Sequence, residues 1–234
     1  MLRNAKGESA ITAHTGGAGL LREVACYSSA VRSALLALLL CAAACGRNQA
    51  EGHGGGSGSA RDTTREQRRF DEERSPKSIV EALQIGPGSR VADVGAGSGL
   101  LTIHLARAVA PNGRVVATDI DGQVLDLLHQ RLSAAGLADL VERRVVGAEA
   151  PQLEPGLYDA ILLSEVDHYF ADAVAWLQAA AGALKPTGRI VISNKVYHRA
   201  TSMAAAHKAG LLIENEATPV ATHFIAVFVL PRSR

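Results

Sequence analysis

Short apolar runs alternate with amphipathic helical patterns through most of the chain after residue 75. The clearest helical stripe consists of Val124, Leu125, Leu128 and Leu132, which recur at the spacing of a face that packs on a core. The pattern predicts strands at Arg90–Val94, Arg114–Thr118, Val141–Val146, Tyr158–Leu163 and Arg189–Ser193. It predicts helices at Gly99–Val109, Gly122–Ala135, Ala171–Leu184 and Thr201–Lys208.

This alternation of strands and helices is typical of a parallel sheet with helices on both faces. The last two apolar runs, "LLIENEATP" and "HFIAVFVLP", have only a short connection between them, so they should pair antiparallel. We therefore expect an α/β three-layer sandwich, whose seven-stranded, mostly parallel sheet ends in an antiparallel hairpin.

The stretch "SPKSIVEALQIGPGS" predicts a further helix before the first strand. Ser75 is its candidate N-cap and Pro76 its first residue, and Gly86-Pro87-Gly88 should end it. Lys185-Pro186-Thr187-Gly188 is predicted to be a turn before the fifth strand. We expect one folded domain over residues 75–234, without an internal repeat.

Residues 1–74 differ in composition from this domain. "ALLALLLCAAAC", from Ala34 to Cys45, is shorter than the about 20 apolar residues that span a bilayer, but it has the length of a signal-peptide core. "GRNQAEGHGGGSGSA" follows and is predicted to be a flexible linker. Arg61–Arg74 holds five basic and five acidic residues, which indicates a solvated, helical lead-in without a specific binding role. The predicted divisions are 1–45, 46–74 and 75–234.

Cys45 is a candidate for the lipidated first residue of a membrane-anchored bacterial lipoprotein. Ala42-Ala43-Ala44 precede it, an apolar core lies upstream and the linker follows. A start at Val31 in place of Met1 would leave a compact signal with one arginine. Two alternatives stay open, namely an uncleaved segment that associates with a membrane and a soluble cytoplasmic protein.

Overall charge and composition argue against two classes of partner and site. The chain has 24 Lys and Arg against 23 Asp and Glu, so no basic field favours nucleic acid, and 4% aromatic residues offer no base-stacking platform. All three cysteines precede the predicted domain, so we expect no Cys/His metal cluster in it.

The glycine-rich stretch "VADVGAGSGLLTIHLA", from Val91 to Ala106, joins the first predicted strand to a helix. In a parallel sheet, ligands bind at the carboxyl ends of strands, and glycines there let a ligand approach the main chain. Gly95, Gly97 and Gly99 have GxGxG spacing, whereas a dinucleotide fingerprint would be GxGxxG. This spacing disfavours a nicotinamide-dependent dehydrogenase, and a purely structural turn stays open.

Two carboxylates accompany the glycines. Asp93 lies just before them, and "VVATDID" ends the second strand at Asp119, where an acid can accept both hydroxyls of a ribose. The alternative role of an exposed acid or helix N-cap suits Asp121 better than Asp119.

"DVGAGSG", "VVATDID", "YDAILLSEVDHYF" and "LKPTGRIVIS" occur in the order and spacing of class I S-adenosylmethionine-dependent methyltransferases. From Pro76 to Leu230 the chain resembles this family, and within it the small-molecule-type methyltransferase domains. The resemblance implies a Rossmann-like methyltransferase fold, S-adenosyl-L-methionine as cofactor and an unidentified, small-molecule acceptor.

The resemblance also implies which residues hold the cofactor. Those for its methionine end are Asp93, Gly95, Ala96, Gly97 and Gly99. Asp119 would hold the ribose, and Ile120 would pack against the adenine. Ala148 or Glu149 stands where family members often carry an acid that contacts the adenine amine, and Ser164 and Glu165 would lie beside the sulfonium.

A base is needed in methyl transfer only when the nucleophile still holds a proton. Asp167 and His168 are the candidates, with Glu165 behind them; alternatively, His168 and Tyr169 only begin the next helix. "SEVDHY" is not the [DN]PP[YF] motif of amino-group nucleic-acid methyltransferases. Asn194, Tyr197 and His198 follow the fifth strand and are candidates to line an acceptor pocket; a loop rim that contacts no ligand is the alternative. A catalytically silent cofactor-binding module is the alternative function.

Overall fold

The computed structural model describes residues 57–231. The predicted signal segment with Cys45, and the predicted linker as far as residue 56, lie outside the described residues. Ser57 to Ala60, the end of that predicted linker, are helical, because the helix that follows extends back through them. No helix within residues 57–231 has the length and apolar character that crossing a membrane requires.

Seven strands form one sheet in the order β3-β2-β1-β4-β5-β7-β6. Neighbouring strands are parallel, except that β7 runs antiparallel to both β5 and β6. The strands are β1 Arg90–Val94, β2 Arg114–Asp119, β3 Val141–Val145, β4 Tyr158–Ser164, β5 Leu184–Lys195, β6 Leu212–Val220 and β7 His223–Val229. The predicted seven-stranded sheet with its terminal hairpin is confirmed.

Helices cover both faces of the sheet. They are α1 Ser57–Arg74, α2 Pro76–Leu83, α3 Thr102–Val109, α4 Gly122–Ala134, α5 Ala173–Ala183 and α6 Arg199–Lys208, with single 3-10 turns at Ala138–Leu140, Asp167–Tyr169 and Val196–His198. One core cluster joins residues of α2, α3 and α4 to Val91, and the other joins residues of α5 and α6 to Ala92. Successive residues of a strand thus enter opposite clusters, which confirms the three-layer sandwich.

The central strand β4 shows why the sequence signal was strong here. Ala160, Ile161, Leu162 and Leu163 are all fully buried. A strand covered by helices on both faces has no solvent side, so its sequence is continuously apolar instead of alternating.

Three predicted helix starts differ from the structure, whereas α2 begins at Pro76 as predicted. The helix predicted from Ala171 begins at Ala173, and the one predicted from Thr201 begins at Arg199. The helix predicted from Gly99 begins at Thr102, because Gly99 has φ +83° and a Cβ there would lie 2.7 Å from Leu128. Ser75 does not cap α2 with its side chain; it has φ 50° because this single residue links α1 to α2. The latter helix ends at Leu83, with Gln84 in the left-handed region, before Gly86.

The predicted turn at Lys185–Gly188 lies inside β5. Leu184 pairs with Tyr158 and Arg189 pairs with Ala160, so β5 advances five residues where β4 advances two. The extra residues form a bulge rather than a connection between elements, which is why turn-forming residues occur inside a strand.

Helix α1 corrects the prediction that Arg61–Arg74 is a solvated lead-in. Phe70 packs against the cluster that contains Val91, and Gln67 donates from Nε2 to the carbonyl oxygen of Leu100 at 2.9 Å. Asp71 lies 2.9 Å from Nε2 of His104. These contacts recur at helical spacing on one face of α1, which therefore docks beside the turn that leads into α3.

Candidate functional site

A cavity of about 270 Å³ opens at the carboxyl ends of β1, β2 and β4. Five of the residues predicted to bind the cofactor line it: Gly95, Asp119, Ile120, Ala148 and Glu165. The rest of its wall is mostly apolar and includes Val94, Val146, Pro151, Val166, Tyr169, Phe170 and Trp176. An apolar cavity with a few polar groups at its edge is the usual form of a small-molecule site.

The turn after β1 keeps part of its main chain open to a ligand. The N–H groups of Gly95 and Ala96 both donate to the carbonyl oxygen of Thr118, which ties the turn to β2. Gly97 has φ +53°, and no atom lies within 4 Å of the position that its Cβ would take. At Gly99, in contrast, Leu128 occupies the place that a Cβ would take, and the N–H donates to the carbonyl oxygen of Ala96. Of the three glycines in this turn, Gly97 alone has open space where a side chain would lie, since a Cβ at Gly95 would meet Val166 at 2.9 Å.

Asp119 connects this turn to the cavity. Its carboxylate accepts the Gly97 N–H at 2.9 Å and the Asp121 N–H at 3.0 Å. Asp121 in turn accepts from the N–H of Gln123 and caps α4, as predicted. Ile120, next along the chain, is 69% exposed, which is unusual for a large apolar residue at a strand end and suits a surface that a ligand covers.

Asp93 is buried, and its only side-chain partner among the described residues is Thr102, whose hydroxyl donates to it at 2.7 Å. Burial raises the pKa of Asp93 to about 6; the hydrogen bond from Thr102 opposes this shift, and the charge of Asp119 adds to it. An acid in such a place favours a nearby positive charge. Its predicted contact with the methionine end of a cofactor stays a prediction.

The hydroxyl of Thr118 is a buried polar group in the cavity wall. Thr118 is fully buried and lines the cavity, yet its Oγ1 has no hydrogen-bond partner among residues 57–231. Buried hydroxyls are nearly always hydrogen-bonded, so this oxygen is available to a bound molecule.

Glu165, at the far edge of the cavity, is surrounded by an arginine, a lysine and a histidine. It has φ 54° and lies 2.5 Å from Nη1 of Arg74, 3.0 Å from Nε2 of His223 and 3.9 Å from Nζ of Lys195. Burial alone would raise the pKa of Glu165, but these neighbours, His223 and Arg74 foremost, hold it below its ordinary value. Arg74 also donates to the hydroxyl of Ser164 at 2.9 Å.

The 3-10 turn after β4 places Asp167 and His168 beside the end of β5. Asp167 is buried and accepts hydrogen bonds from Nδ2 of Asn194 at 2.7 Å and from the hydroxyl of Ser202. His168 has its Nδ1 2.9 Å from the same Nδ2 of Asn194. The predicted acceptor-side residue Asn194 is therefore brought to both base candidates.

Four rings form a row at this edge of the site. The ring of His168 lies 4.0 Å from that of Tyr169 and stacks on that of His198 at 4.1 Å, and His198 lies 4.4 Å from Tyr197. Both tyrosines are at least 70% exposed, and Tyr169 also lines the cavity. The row joins the predicted acceptor-pocket residues to the cavity.

The comparisons with known proteins agree with this geometry. Residues 92–190 match the family described as methyltransferase domain. The ubiquinone/menaquinone biosynthesis C-methyltransferase UbiE of Pseudomonas putida is 29% identical over 147 residues, which cover 59% of this chain and 57% of the relative. The ubiquinone biosynthesis O-methyltransferase of Xanthomonas campestris pv. campestris is 32% identical over 146 residues, which cover 62% of this chain and 58% of that relative. The chain thus spans somewhat more than half the length of these curated relatives.

Solved structures share the fold. A SAM dependent methyltransferase from Aquifex aeolicus superposes with a TM-score of 0.65 at 18% identity, over 72% of this chain and 96% of that one. The geranyl diphosphate C-methyltransferase of Streptomyces coelicolor A3(2), crystallised with S-adenosyl-L-homocysteine, gives 0.56 at 15% identity, over 66% and 76%. Residues 92–190 thus match a methyltransferase domain, and the chain has the Rossmann-like methyltransferase fold.

Proposed function

We propose that this protein is an S-adenosylmethionine-dependent methyltransferase that acts on a small-molecule acceptor. The observation that carries the proposal is the pairing of Gly97 with Asp119 at the edge of an apolar cavity. A glycine with space beside its main chain, and a strand-end carboxylate within reach of it, are the groups that a nucleoside with an attached amino acid requires.

The residues present fit the cofactor. Asp119 would accept the ribose hydroxyls, while Ile120 and Ala148 offer apolar surface to the adenine. Thr118 supplies the unpartnered hydroxyl in the wall, and Asp93 the buried acid behind the glycine turn. When bound, S-adenosylmethionine supplies a methyl group on a positively charged sulfur, and the carbon–sulfur bond breaks as the bond to the acceptor forms, its electron pair staying on sulfur.

The acceptor would enter on the side of Glu165 and Tyr169, which line the same cavity. The 3-10 turns after β4 and β5 form this side, and their rings are exposed. The two curated relatives are named for ubiquinone or menaquinone biosynthesis, which supports a small-molecule acceptor for this chain as well.

The test is incubation of the full-length protein with a cell extract and S-adenosylmethionine that carries an isotopically labelled methyl group. Mass spectrometry should find a small molecule that gains the label with this protein and gains far less with its Asp119→Ala variant. Binding of S-adenosylhomocysteine without any transfer would instead indicate a silent binding module. A protein that binds no S-adenosylhomocysteine would have the fold without the function.

We also propose that Cys45 carries the lipid of a bacterial lipoprotein. Mass spectrometry of the native N-terminus should find diacylglycerol on Cys45, and a Cys45→Ser variant should lack it. The several acyl chains of a lipoprotein are needed because one chain anchors only marginally. An unmodified protein that starts at Met1, or a Cys45 without lipid, would contradict the proposal.

Anchoring would also decide where the methyl donor comes from. S-adenosylmethionine is made in the cytoplasm, so an exported domain would have no local supply. Either the anchored domain faces the cytoplasm, or an exported domain has lost or changed its activity. Protease accessibility of the domain in intact cells distinguishes the two arrangements.

A further inference from the structure

Asn194 has one orientation that satisfies all of its neighbours. It is fully buried, and its Nδ2 lies 2.7 Å from Oδ1 of Asp167 and 2.9 Å from Nδ1 of His168. Its Oδ1 accepts the backbone N–H of Lys195 at 2.7 Å. A backbone N–H can only donate, so the oxygen of Asn194 must face Lys195 and its NH₂ must face Asp167 and, with it, His168.

This orientation fixes the proton of His168. The NH₂ of Asn194 donates to Nδ1, which must therefore present its lone pair. A neutral imidazole carries one proton, and in His168 that proton has to be on Nε2. Burial, and then the neighbouring His198, lower the pKa of His168, which keeps the ring neutral at pH 7. The other ring nitrogen of His168, Nε2, is thus a hydrogen-bond donor.

None of the three base candidates is free to take a proton from an acceptor. Both oxygens of Asp167 are used by Asn194 and Ser202, and the residue is buried. Glu165 is paired with Arg74 and contacts Nε2 of His223, and its pKa lies below its ordinary value. The remaining candidate, His168, already carries the proton on Nε2. An acceptor that still held its proton would find no base here.

The charged groups around His168 determine which charge an acceptor can carry. Asp167, Glu165, Lys195 and His198 all act on this ring electrostatically. The charge of Glu165 is balanced by Arg74, with which it makes the shorter ion pair. Lys195 lies farther from Glu165, and about half of its side chain is exposed. Lys195 and His168 both stand next to residues that line the cavity: Nζ of Lys195 lies 3.9 Å from Glu165, and the ring of His168 lies 4.0 Å from that of Tyr169. A cationic amine and an N–H donor are thus placed at the edge of the cavity.

We propose that the acceptor is an oxyanion, such as a carboxylate, phenolate or enolate, which His168 holds through Nε2–H while Lys195 attracts its charge. This inference rests on the proposed function. The acceptor's electron pair forms the new bond to the methyl carbon, the carbon–sulfur pair stays on sulfur, and no proton moves. The negative acceptor and the positive donor together give two neutral products. Asn194 and Asp167 are positioning residues that fix the tautomer of His168.

The tautomer can be tested without a cofactor or an acceptor. In ¹⁵N spectra of the full-length protein, the His168 ring should show a pyridine-type Nδ1 and a pyrrole-type Nε2 at pH 7.5. A His168→Gln variant assigns these signals among the other histidines. A pyrrole-type Nδ1 with a pyridine-type Nε2 would overturn the proposal, because His168 would then be free to act as a base.

Asn194→Ala is the matched variant. Without the NH₂ of Asn194, Nδ1 of His168 loses its donor, so the proton is no longer confined to Nε2 and the ring should populate both tautomers. The two ¹⁵N signals should therefore move toward each other. A merely structural Asn194 would leave them unchanged. If the variant does not fold, the spectrum of the unaltered protein still decides the question.

The acceptor class is tested with benzoate as the oxyanion and benzamide as its neutral match. The protein is loaded with sinefungin, a cofactor analogue that carries an amine in place of the sulfonium methyl. Benzoate should shift the Nε2 signal of His168, benzamide should not, and Lys195→Gln should weaken the benzoate effect by about two- to fivefold. Equal shifts of the Nε2 signal from benzoate and benzamide, or no shift from either, would overturn the proposal that the acceptor is an oxyanion. Failure of sinefungin to bind would overturn the proposed function and leave the tautomer result standing.

Discussion

Asp119→Ala is expected to lower the affinity for S-adenosylhomocysteine by about tenfold to a hundredfold. A hydrogen bond to a charged group is worth about 1.5–3 kcal/mol, and the variant would leave the ribose hydroxyls without their charged acceptor. It would also free the N–H of Gly97, which Asp119 now accepts at 2.9 Å. Calorimetric titration of the full-length protein measures the effect.

Asp121→Ala is the control, because it removes an acid two residues away. Asp121 caps α4 through Gln123, so its loss should reduce stability by about 1 kcal/mol without changing the affinity. The assignment of Asp119 fails if its own variant binds S-adenosylhomocysteine as the unaltered protein does. It also fails if both variants lose affinity to the same extent, since local helix stability would then be the cause.

Asp93→Asn is expected to make the cofactor-free protein more stable at neutral pH. Burial raises the pKa of Asp93 from an ordinary 3.8 to about 6. The folded state therefore holds a proton that the unfolded state has lost between about pH 4 and pH 6, so stability falls as pH rises through this window. At pH 7 the full cost, on the order of 3 kcal/mol, is present, and asparagine removes it. Urea unfolding at several pH values measures both quantities.

Thr102→Val provides the matched comparison for Asp93. The hydroxyl of Thr102 donates to the carboxylate and opposes the rise of its pKa, so its loss should extend the decline of stability to higher pH. Asp93→Asn should also bind S-adenosylhomocysteine more weakly, because the acid is predicted to face its positively charged end. If the free energy of unfolding changes with pH in the same way in the unaltered protein and in Asp93→Asn, then Asp93 does not cause the pH dependence of stability.

The architecture could be predicted because its signals are local. Ala160 to Leu163 form a continuous apolar run because β4 is covered on both faces, and Leu125, Leu128 and Leu132 repeat because α4 buries one face. The glycine turn and Asp119 were likewise visible, since strand ends in a parallel sheet meet at one edge. The family resemblance joined these pieces into one fold.

The acceptor side could not be predicted, because its contacts join distant segments. Arg74 reaches Glu165 across 91 positions of sequence, and His223 reaches it across 58. No periodicity connects β7, which carries His223, with the end of β4. The part of Asn194 in setting the tautomer of His168 also depends on two neighbouring strand ends, and a sequence shows only that both residues are polar.

The packing of helix α1 on the domain could not be predicted for a different reason. Its charged residues conceal a docked face formed by Gln67, Phe70, Asp71 and Arg74, which follow the spacing of one helix side. Charge counting treats such a segment as solvated, whereas the spacing of its single aromatic residue with Arg74 indicated a buried side.

The docking of α1 bears on where the protein can be cut. A fragment beginning at Ser75, the predicted domain start, would lack Phe70, which packs on the core, and Arg74, which pairs with Glu165. Of the three described side chains around Glu165, His223 and Lys195 would stay. The hydrogen bond of Gln67 to Leu100, beside the glycine turn, would be lost as well. Such a fragment would still contain all seven strands, but Glu165 and Ser164 would lack their contacts with Arg74. Cleavage upstream of α1 would instead separate the domain from the proposed lipid on Cys45 and keep these contacts.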